Sequence, residues 1–188
     1  MVAAQGLNEP VGFDFLRDSA VAGIGWLEEV KVYRLSHNPP NRQARYTLFD
    51  DRTSPYDGEY LVADISYCSD LEKQPAELLF ALCKELMHVF DDRDTWIDSR
   101  EKFIKFLKDL QNTPFDAANG ALNSEHRAKW MALAVLIPKH LRDSVLNEIN
   151  EGRALRAEVA DRLGIPESIL ENALDDYYDV ALTILTSP

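Results

Sequence analysis

Three residues with chemically useful side chains lie close together at Lys84, Glu85 and His88. Helical side chains four positions apart share one face, so Lys84 and His88 are neighbours, with Glu85 beside them. This is the spacing of the zinc-binding helix pattern H-E-x-x-H, in which two histidines bind the metal and the glutamate acts as general base. Lysine occupies the first histidine position and brings a positive charge to the place of a dication. The chemistry of the segment therefore depends on Lys84.

A further carboxylate, Glu125, stands at the start of a segment that becomes apolar on every side towards Pro138. A helix that is apolar all round is buried. Ala128 and Ala132 are small residues four apart, which allows another helix to approach closely. Glu125 is then placed at the mouth of a core helix, where it can meet the first segment. The plainer interpretation of Glu125 is a first-turn acid favoured by the helix dipole.

The plainer interpretation of the first segment is a solvated helix face. Residues 77–92 form an amphipathic pattern in which Lys84, Glu85 and His88 share the polar arc, and such charged arcs are routine. Cys83 falls on the apolar arc, which favours a core cysteine over a thiol activated by the neighbouring lysine.

Together these segments resemble the ImmA/IrrE family of zinc-peptidase-like proteins, over about residues 45–175. That family pairs a helix reading roughly A-H-E-L-G-H with a later helix reading roughly E-x-x-A-x-x-F-A-x-x-L-L-x-P. The matching residues here are Cys83-Lys84-Glu85-Leu86-Met87-His88, then Glu125, Ala128, Trp130 or Met131, Ala132, Val135-Leu136 and Pro138. Residues 159–170 are also similar to the helix pair that follows in the family.

The resemblance implies a zincin-like core in which His88 is the second zinc ligand, Glu125 the third and Glu85 the general base. Lys84 stands where the first ligand should be, and Met87 where a small glycine usually lies. Lysine binds zinc only when deprotonated, and its ordinary pKa of about 10.4 makes that costly at neutral pH. Two protein ligands fall short of the three that a catalytic zinc site usually has.

Two functions follow from this comparison. The first is a degenerate metallopeptidase-like protein that has lost zinc and acts as a cytoplasmic protein-interaction or regulatory module. In it, the ammonium of Lys84 replaces the metal and pairs with Glu85 and Glu125. The second is an active zinc-dependent endopeptidase that cleaves a regulatory protein such as a repressor, with Glu85 as base and a substitute ligand beside His88 and Glu125. The missing ligand favours the first, so no cofactor is expected, with zinc as the alternative if the family site is retained.

Other metal sites find less support in the sequence. The remaining histidines are His37, His126 and His140, and His126 points about 100° away from Glu125 on a shared helix. Glu85-x-x-His88 is also the di-iron pattern, but such sites need a second copy on a four-helix bundle, and the chain has none.

Composition narrows the class of protein. The 188 residues suit one domain, and 46% apolar residues are enough for a core. A net charge of −12 argues against binding to nucleic-acid phosphates. The family resemblance implies instead a protein or peptide partner, such as a transcriptional regulator. The two cysteines fit a reduced compartment, and the sequence predicts neither a signal peptide nor a membrane span. We therefore expect a cytoplasmic protein.

A helix-turn-helix regulator is a third interpretation, based on residues 159–169, where Gly164 would occupy the turn. Residues 151–188 carry three arginines against eight acidic residues. This balance disfavours DNA contacts and favours a helical corner used for packing.

The sequence predicts an α+β fold that is mainly α-helical: a zincin-like core with a small antiparallel sheet packed on the motif helix, followed by a C-terminal helical segment. Two strands, Ala44–Asp50 and Glu59–Tyr67, are joined by turn residues at 54–58. A loop is expected at 112–123. Predicted helices are Asp18–Leu35, Pro75–Phe90, Ser99–Leu110, Ser124–Ile137, Lys139–Asn150, Leu155–Leu163, Glu167–Leu174 and Asp176–Leu185. We place the zincin-like domain at residues 1–138 and a C-terminal helical extension, packed on it, at 139–188.

Overall fold

The computed structural model describes residues 11–36, 43–50, 61–91 and 120–186, and these form an α+β protein built mainly of helices, as predicted. The elements are α1 (Phe13–Gly23), β1 (Leu27–Leu35), β2 (Ala44–Asp50), β3 (Leu61–Cys68), α2 (Pro75–Met87), α3 (Gly120–Leu136), α4 (Lys139–Asn150), α5 (Arg156–Leu163), α6 (Glu167–Leu174) and α7 (Tyr177–Thr186). Short 3-10 turns flank α2 at Ser69–Lys73 and His88–Phe90.

Among the described residues the sheet has three strands in the order β1-β3-β2, so the strand that comes last in sequence is central. β2 and β3 pair antiparallel, which confirms the pairing expected for these two runs, although the turn at 54–58 lies outside the described residues. β1 runs parallel to β3. The prediction of a wholly antiparallel sheet is therefore wrong, because a strand that the sequence did not indicate completes a mixed sheet.

The predicted helix Asp18–Leu35 is wrong over its second half. α1 ends at Gly23, and β1 begins at Leu27 after a short turn. The apolar residues keep a helical spacing of about three past Gly23 and Gly25. In the structure, however, the helix ends at Gly23 and a strand begins shortly after Gly25. Backbone pairing with β3 then outweighs the local helical spacing, as long-range contacts commonly do for half-buried segments.

The later helices are predicted closely. α4 and α6 have the predicted bounds, while α5 and α7 each begin one residue later. Pro138 and Pro166 precede α4 and α6, and Gly164 takes the left-handed conformation (φ 63°) that ends α5. α3 begins at Gly120, so the predicted loop is wrong over 120–123, whereas 112–119 and the helix Ser99–Leu110 lie outside the described residues.

One hydrophobic core joins all of these elements. α2 packs against β2, β3 and α3, and α3 packs against α6 and α7. The buried hydroxyl of Tyr178 donates a 2.7 Å hydrogen bond to the carbonyl of Ile137, across the domain boundary predicted at 138. The division into 1–138 and 139–188 stays a prediction. Within the described part of the chain, no helix is long and apolar enough to cross a membrane.

Candidate functional site

The motif helix α2 buries part of its polar arc. Pro75 stands at the N-terminus, where the missing amide costs nothing, and the helix passes into a 3-10 turn at His88. Glu85 and His88 retain only 6% and 7% of their exposure. The alternative of a solvated helix face is therefore wrong for these two residues. Cys83 is fully buried, as expected, and burial raises the pKa of its thiol to about 12.

The ammonium of Lys84 lies between two carboxylates. Its Nζ is 3.0 Å from Oε1 of Glu85 and 2.5 Å from Oε2 of Glu125. Lys84 comes from α2 and Glu125 from the first turns of α3, so this contact joins the two helices. Both ion pairs expected from the sequence are therefore present in the fold.

The second oxygen of Glu85 is also engaged. Oε2 accepts a 2.8 Å hydrogen bond from the backbone amide of Tyr46 on β2. A nearly buried carboxylate is costly unless it is paired and hydrogen-bonded, and here Lys84 and the Tyr46 amide satisfy one oxygen each. Glu85 thus holds the sheet to the motif helix.

His88 is held by a carboxylate on each side of its ring. Its Nε2 lies 3.4 Å from Oε1 of Glu125, and its Nδ1 lies 2.7 Å from Oδ2 of Asp91, three residues later. The ring of Tyr46 packs at a tilt against the imidazole, with 5.8 Å between ring centroids. The ring is therefore fixed in orientation.

Ser124 brings a hydroxyl to the same cluster without making a catalytic triad. Its Oγ donates a 2.5 Å hydrogen bond to Oδ2 of Asp91 and lies 3.2 Å from Nδ1 of His88. A nucleophilic serine needs one ring nitrogen for itself and the acid on the other. Here Ser124 and Asp91 contact the same nitrogen, so Ser124 has no base to activate it.

The charges of the cluster reinforce one another. Burial alone lowers the pKa of His88, but the hydrogen bonds to Asp91 and Glu125 and the charge of Glu85 outweigh it and raise that pKa to about 9. The contact with His88, opposed by burial and aided by Lys84, lowers the pKa of Glu125 to about 2. Burial lowers the pKa of Lys84, yet the charge of Glu85 and the bond to Glu125 leave it raised. These shifts favour an ammonium at Lys84, an imidazolium at His88 and a carboxylate at Glu125 at neutral pH.

Zinc binding at these residues would have to displace contacts that the fold contains. A metal ligand must present a lone pair, whereas Nδ1 of His88 lies against Asp91 and Nε2 against Glu125. The Lys84 ammonium is paired with Glu125, the other residue that the family resemblance implies as a zinc ligand. Across residues 11–36, 43–50, 61–91 and 120–186, no three His, Cys, Asp or Glu side chains are arranged to hold a metal ion.

The fold thus brings together all four residues singled out from the sequence: Lys84, Glu85, His88 and Glu125. His126 and His140 are exposed on the surface, and His37 lies outside the described residues. Three further members of the cluster were not predicted: Tyr46, Asp91 and Ser124. The spacing of His88 and Asp91 is a signal for one of them, but it is too common to stand alone, and nothing local marks the other two.

An open pocket of about 430 Å³ adjoins the cluster. It is lined by the α1–β1 turn at residues 23–26 and by Val89, Phe90 and Asp91. Asp91 contacts His88 and also lines this pocket, so the pocket lies beside the cluster.

Comparison of the sequence with protein-family models and curated proteins, and of the fold with solved structures, gave no match.

Proposed function

We propose that this protein is a degenerate metallopeptidase-like protein that works as a protein-interaction or regulatory module, with Lys84 in the place of a metal. The observation that carries the proposal is the position of the Lys84 ammonium between Glu85 and Glu125. One monovalent cation there offsets the charges that a zinc ion would otherwise offset. The site can thus stay closed without metal.

The resemblance to the ImmA/IrrE family supports a zincin-like core. The residues that carry it lie on α2 and α3, which pack together beside the sheet. Asp91 bonds the ring nitrogen of His88 that faces away from Glu125, as outer carboxylates do for metal-binding histidines. This contact is the observation that favours the alternative, an active zinc endopeptidase in which Lys84 swings aside.

Catalysis is the part of the family chemistry that this arrangement disfavours. A general base must have a free oxygen within reach of the proton it takes. Both oxygens of Glu85 are engaged, by Lys84 and by the Tyr46 amide. What remains is a charged cluster beside an open pocket, and we propose that a peptide segment from a regulatory protein binds there.

The helix-turn-helix alternative finds little support in its exposed residues. α5 and α6 pack against each other, and Ile169, Leu170 and Ala173 are buried. Glu167 and Glu171 remain on the exposed side of α6 and would repel phosphates.

Metal analysis tests the proposal directly. We expect the chain purified without chelator to contain far less than one zinc per molecule, and to show no zinc-dependent cleavage of a mixed peptide substrate. Lys84→His should raise zinc binding towards one per chain, because it removes the ammonium and restores a third ligand. The matched control is Lys73→His, an exposed lysine paired with Asp70 outside the site, which should bind no added zinc there.

One zinc per chain in the parent protein, with peptide cleavage abolished by Glu85→Gln, would establish the active peptidase instead. If Lys84→His binds no more zinc than the parent, the comparison of this cluster with a zinc site is wrong.

A further inference from the structure

The last helix, α7, is apolar over more of its circumference than the core covers. Tyr178 and Ala181 are buried, at 1% and 5% exposure. Tyr177, Val180 and Ile184 follow the spacing i, i+3, i+7 and therefore form a continuous row on one side of the helix. Their exposures are 49%, 49% and 63%. We call these three residues the α7 stripe.

Trp130 on α3 extends the stripe. Its ring lies 5.4 Å from that of Tyr177, at an interplanar angle of 55°, and α3 packs against α7. The surface thus combines two aromatic and two aliphatic side chains. Large aromatic anchors of this kind are enriched where proteins bind one another.

The α7 stripe is separate from the cluster of Lys84, Glu85, His88 and Glu125. Trp130 comes five residues after Glu125 on the same helix, which places it about 7.5 Å along the axis and about 140° around it. A partner on the stripe therefore need not touch Lys84 or His88, and this inference does not depend on the proposed function.

The charge beside the stripe is negative. α7 has no basic residue, and Asp176 has no basic partner among the described residues. Asp179 is already paired, with Lys139 at 2.6 Å. Arg127 is exposed one turn before Trp130, so positive charge on a partner is favoured opposite α7 rather than opposite α3.

We propose that the α7 stripe is a docking surface for a basic amphipathic helix of a partner protein. Its apolar residues would lie along Tyr177, Val180 and Ile184, and its lysines or arginines would face Asp176. Helices bind apolar rows in this way through anchors at i, i+3 or i+4, and i+7. A second copy of this chain is a poorer occupant, because it carries the same acids and a net charge of −12.

The test uses the full chain and two labelled helical peptides of about 16 residues, long enough to hold helical structure when bound. Both carry the same leucine face; one has lysines on its polar face, the other glutamates. Fluorescence anisotropy gives Kd, and the emission of Trp130 reports contact, with Trp130→Phe identifying its signal among the three tryptophans. We expect saturable binding of the lysine peptide, at least tenfold weaker binding of the glutamate peptide, and weakening by added salt.

Val180→Asn and Ile184→Asn should each weaken binding of the lysine peptide at least tenfold. Phe15 is a similarly exposed apolar residue on α1, and Phe15→Asn should leave that binding unchanged. Asp176→Asn should weaken binding of the lysine peptide severalfold. Equal binding of both peptides, no saturable binding, or the same loss with Phe15→Asn would overturn the proposal. A dimer by light scattering that dissociates in Ile184→Asn would assign the stripe to a second copy. A large fall in the melting temperature of free Val180→Asn would assign it to another segment of this chain.

Discussion

The backbone amide of Tyr46 donates a 2.8 Å hydrogen bond to Oε2 of Glu85. The amide of Cys68 donates a backbone hydrogen bond to the carbonyl of Gln43, so Gln43 faces β3 with its backbone polar groups. In an antiparallel pair only every second residue does so, and Tyr46, three residues later, therefore points its amide away from β3. Glu85 therefore occupies a hydrogen-bonding position on the open edge of β2. The same carboxylate that holds Lys84 also fixes the sheet to the motif helix.

The ion pair between Lys84 and Glu85 should show strong energetic coupling. Lys84→Met leaves the carboxylate of Glu85 buried without its cation, which we expect to cost about 3–5 kcal/mol of unfolding free energy. Glu85→Gln alone should also destabilise, since it leaves the ammonium short of a partner. Urea denaturation measures the unfolding free energy of each variant. The loss in the double variant should be about 1–3 kcal/mol smaller than the sum of the losses in the two single variants.

An exposed pair provides the control for that cycle. Arg34 and Glu72 lie 2.8 Å apart with side chains 57% and 41% exposed, and the same cycle should give a coupling of about 0–1 kcal/mol. Additive losses for Lys84→Met and Glu85→Gln would show that the two charges do not interact as the geometry indicates.

The stability of the protein should fall on the alkaline side because of His88. Its pKa is raised to about 9 in the fold, against about 6.5 for an unfolded histidine. Between these two pH values His88 holds a proton in the folded state that it loses in the unfolded state. The stabilisation that His88 provides is therefore complete below pH 6.5 and is lost as pH rises through 9. The unfolding free energy should fall by up to about 1.4 kcal/mol per pH unit there.

NMR titration of the His88 ring measures this pKa directly, and His88→Gln should remove most of the alkaline fall. A ring pKa at or below 6.5 would mean that burial outweighs Asp91 and Glu125, and that the imidazole is free to bind a metal at neutral pH.

The hydroxyl of Tyr46 should contribute nothing to stability. It is buried and has no hydrogen-bond partner within the described part of the chain, and burial, aided by the charge of Asp91, raises its pKa. An unpaired buried hydroxyl costs about 1–3 kcal/mol. Tyr46→Phe should therefore leave the unfolding free energy unchanged or raise it by about 1 kcal/mol. A loss of more than about 1 kcal/mol would show that the hydroxyl has a partner, such as a bound water.

Replacing Arg142 by lysine should lower the stability of the protein. Its buried guanidinium donates to the carbonyl of Ala173 at 2.8 Å and to that of Asp175 at 3.2 Å, and lies 5.0 Å from the centre of the Tyr178 ring. A single ammonium lacks this planar fork, so Arg142→Lys should cost about 2–4 kcal/mol by thermal or urea unfolding. Arg162 makes a similar two-pronged contact with Glu148 at the surface, so Arg162→Lys should cost less than Arg142→Lys, because water can solvate the groups left unpaired. Equal losses in the two variants would contradict a role for Arg142 in joining α4 to the end of α6.

The local chemistry of proline and glycine explains why the later helices could be predicted. Pro138, Pro166 and Gly164 mark helix ends by effects that act within a few residues, and α4 and α6 have the predicted bounds. The approach of Lys84 to Glu85 and Glu125 was also accessible, because one contact is local and the other needs only that α2 and α3 pack. Neither the roles of these residues nor the zincin-like core follows from that geometry alone.

What the sequence could not reveal depends on contacts between distant residues. The sequence of β1 has the apolar spacing of a helix, and it forms a strand because β3 supplies its backbone hydrogen-bond partners. Tyr46 donates to Glu85 through its backbone amide, which any residue except proline would provide. Its ring meets His88 only through the folding of β2 onto α2, so no local pattern marks it. Ser124 joins the cluster only because the start of α3 lies against Asp91.

The central place of β3 also governs how the chain can assemble. β1 and β2 are both made before β3, yet they lie on opposite sides of it. As the chain leaves a ribosome, both strands must wait with open backbone edges until residue 68 has emerged, and such edges are where chains pair wrongly. The motif helix follows only seven residues after β3 ends, and the Glu85 carboxylate then meets the edge of β2. A chain interrupted before α2 would leave the Tyr46 amide open to another strand, so newly made protein should be prone to aggregate in that interval.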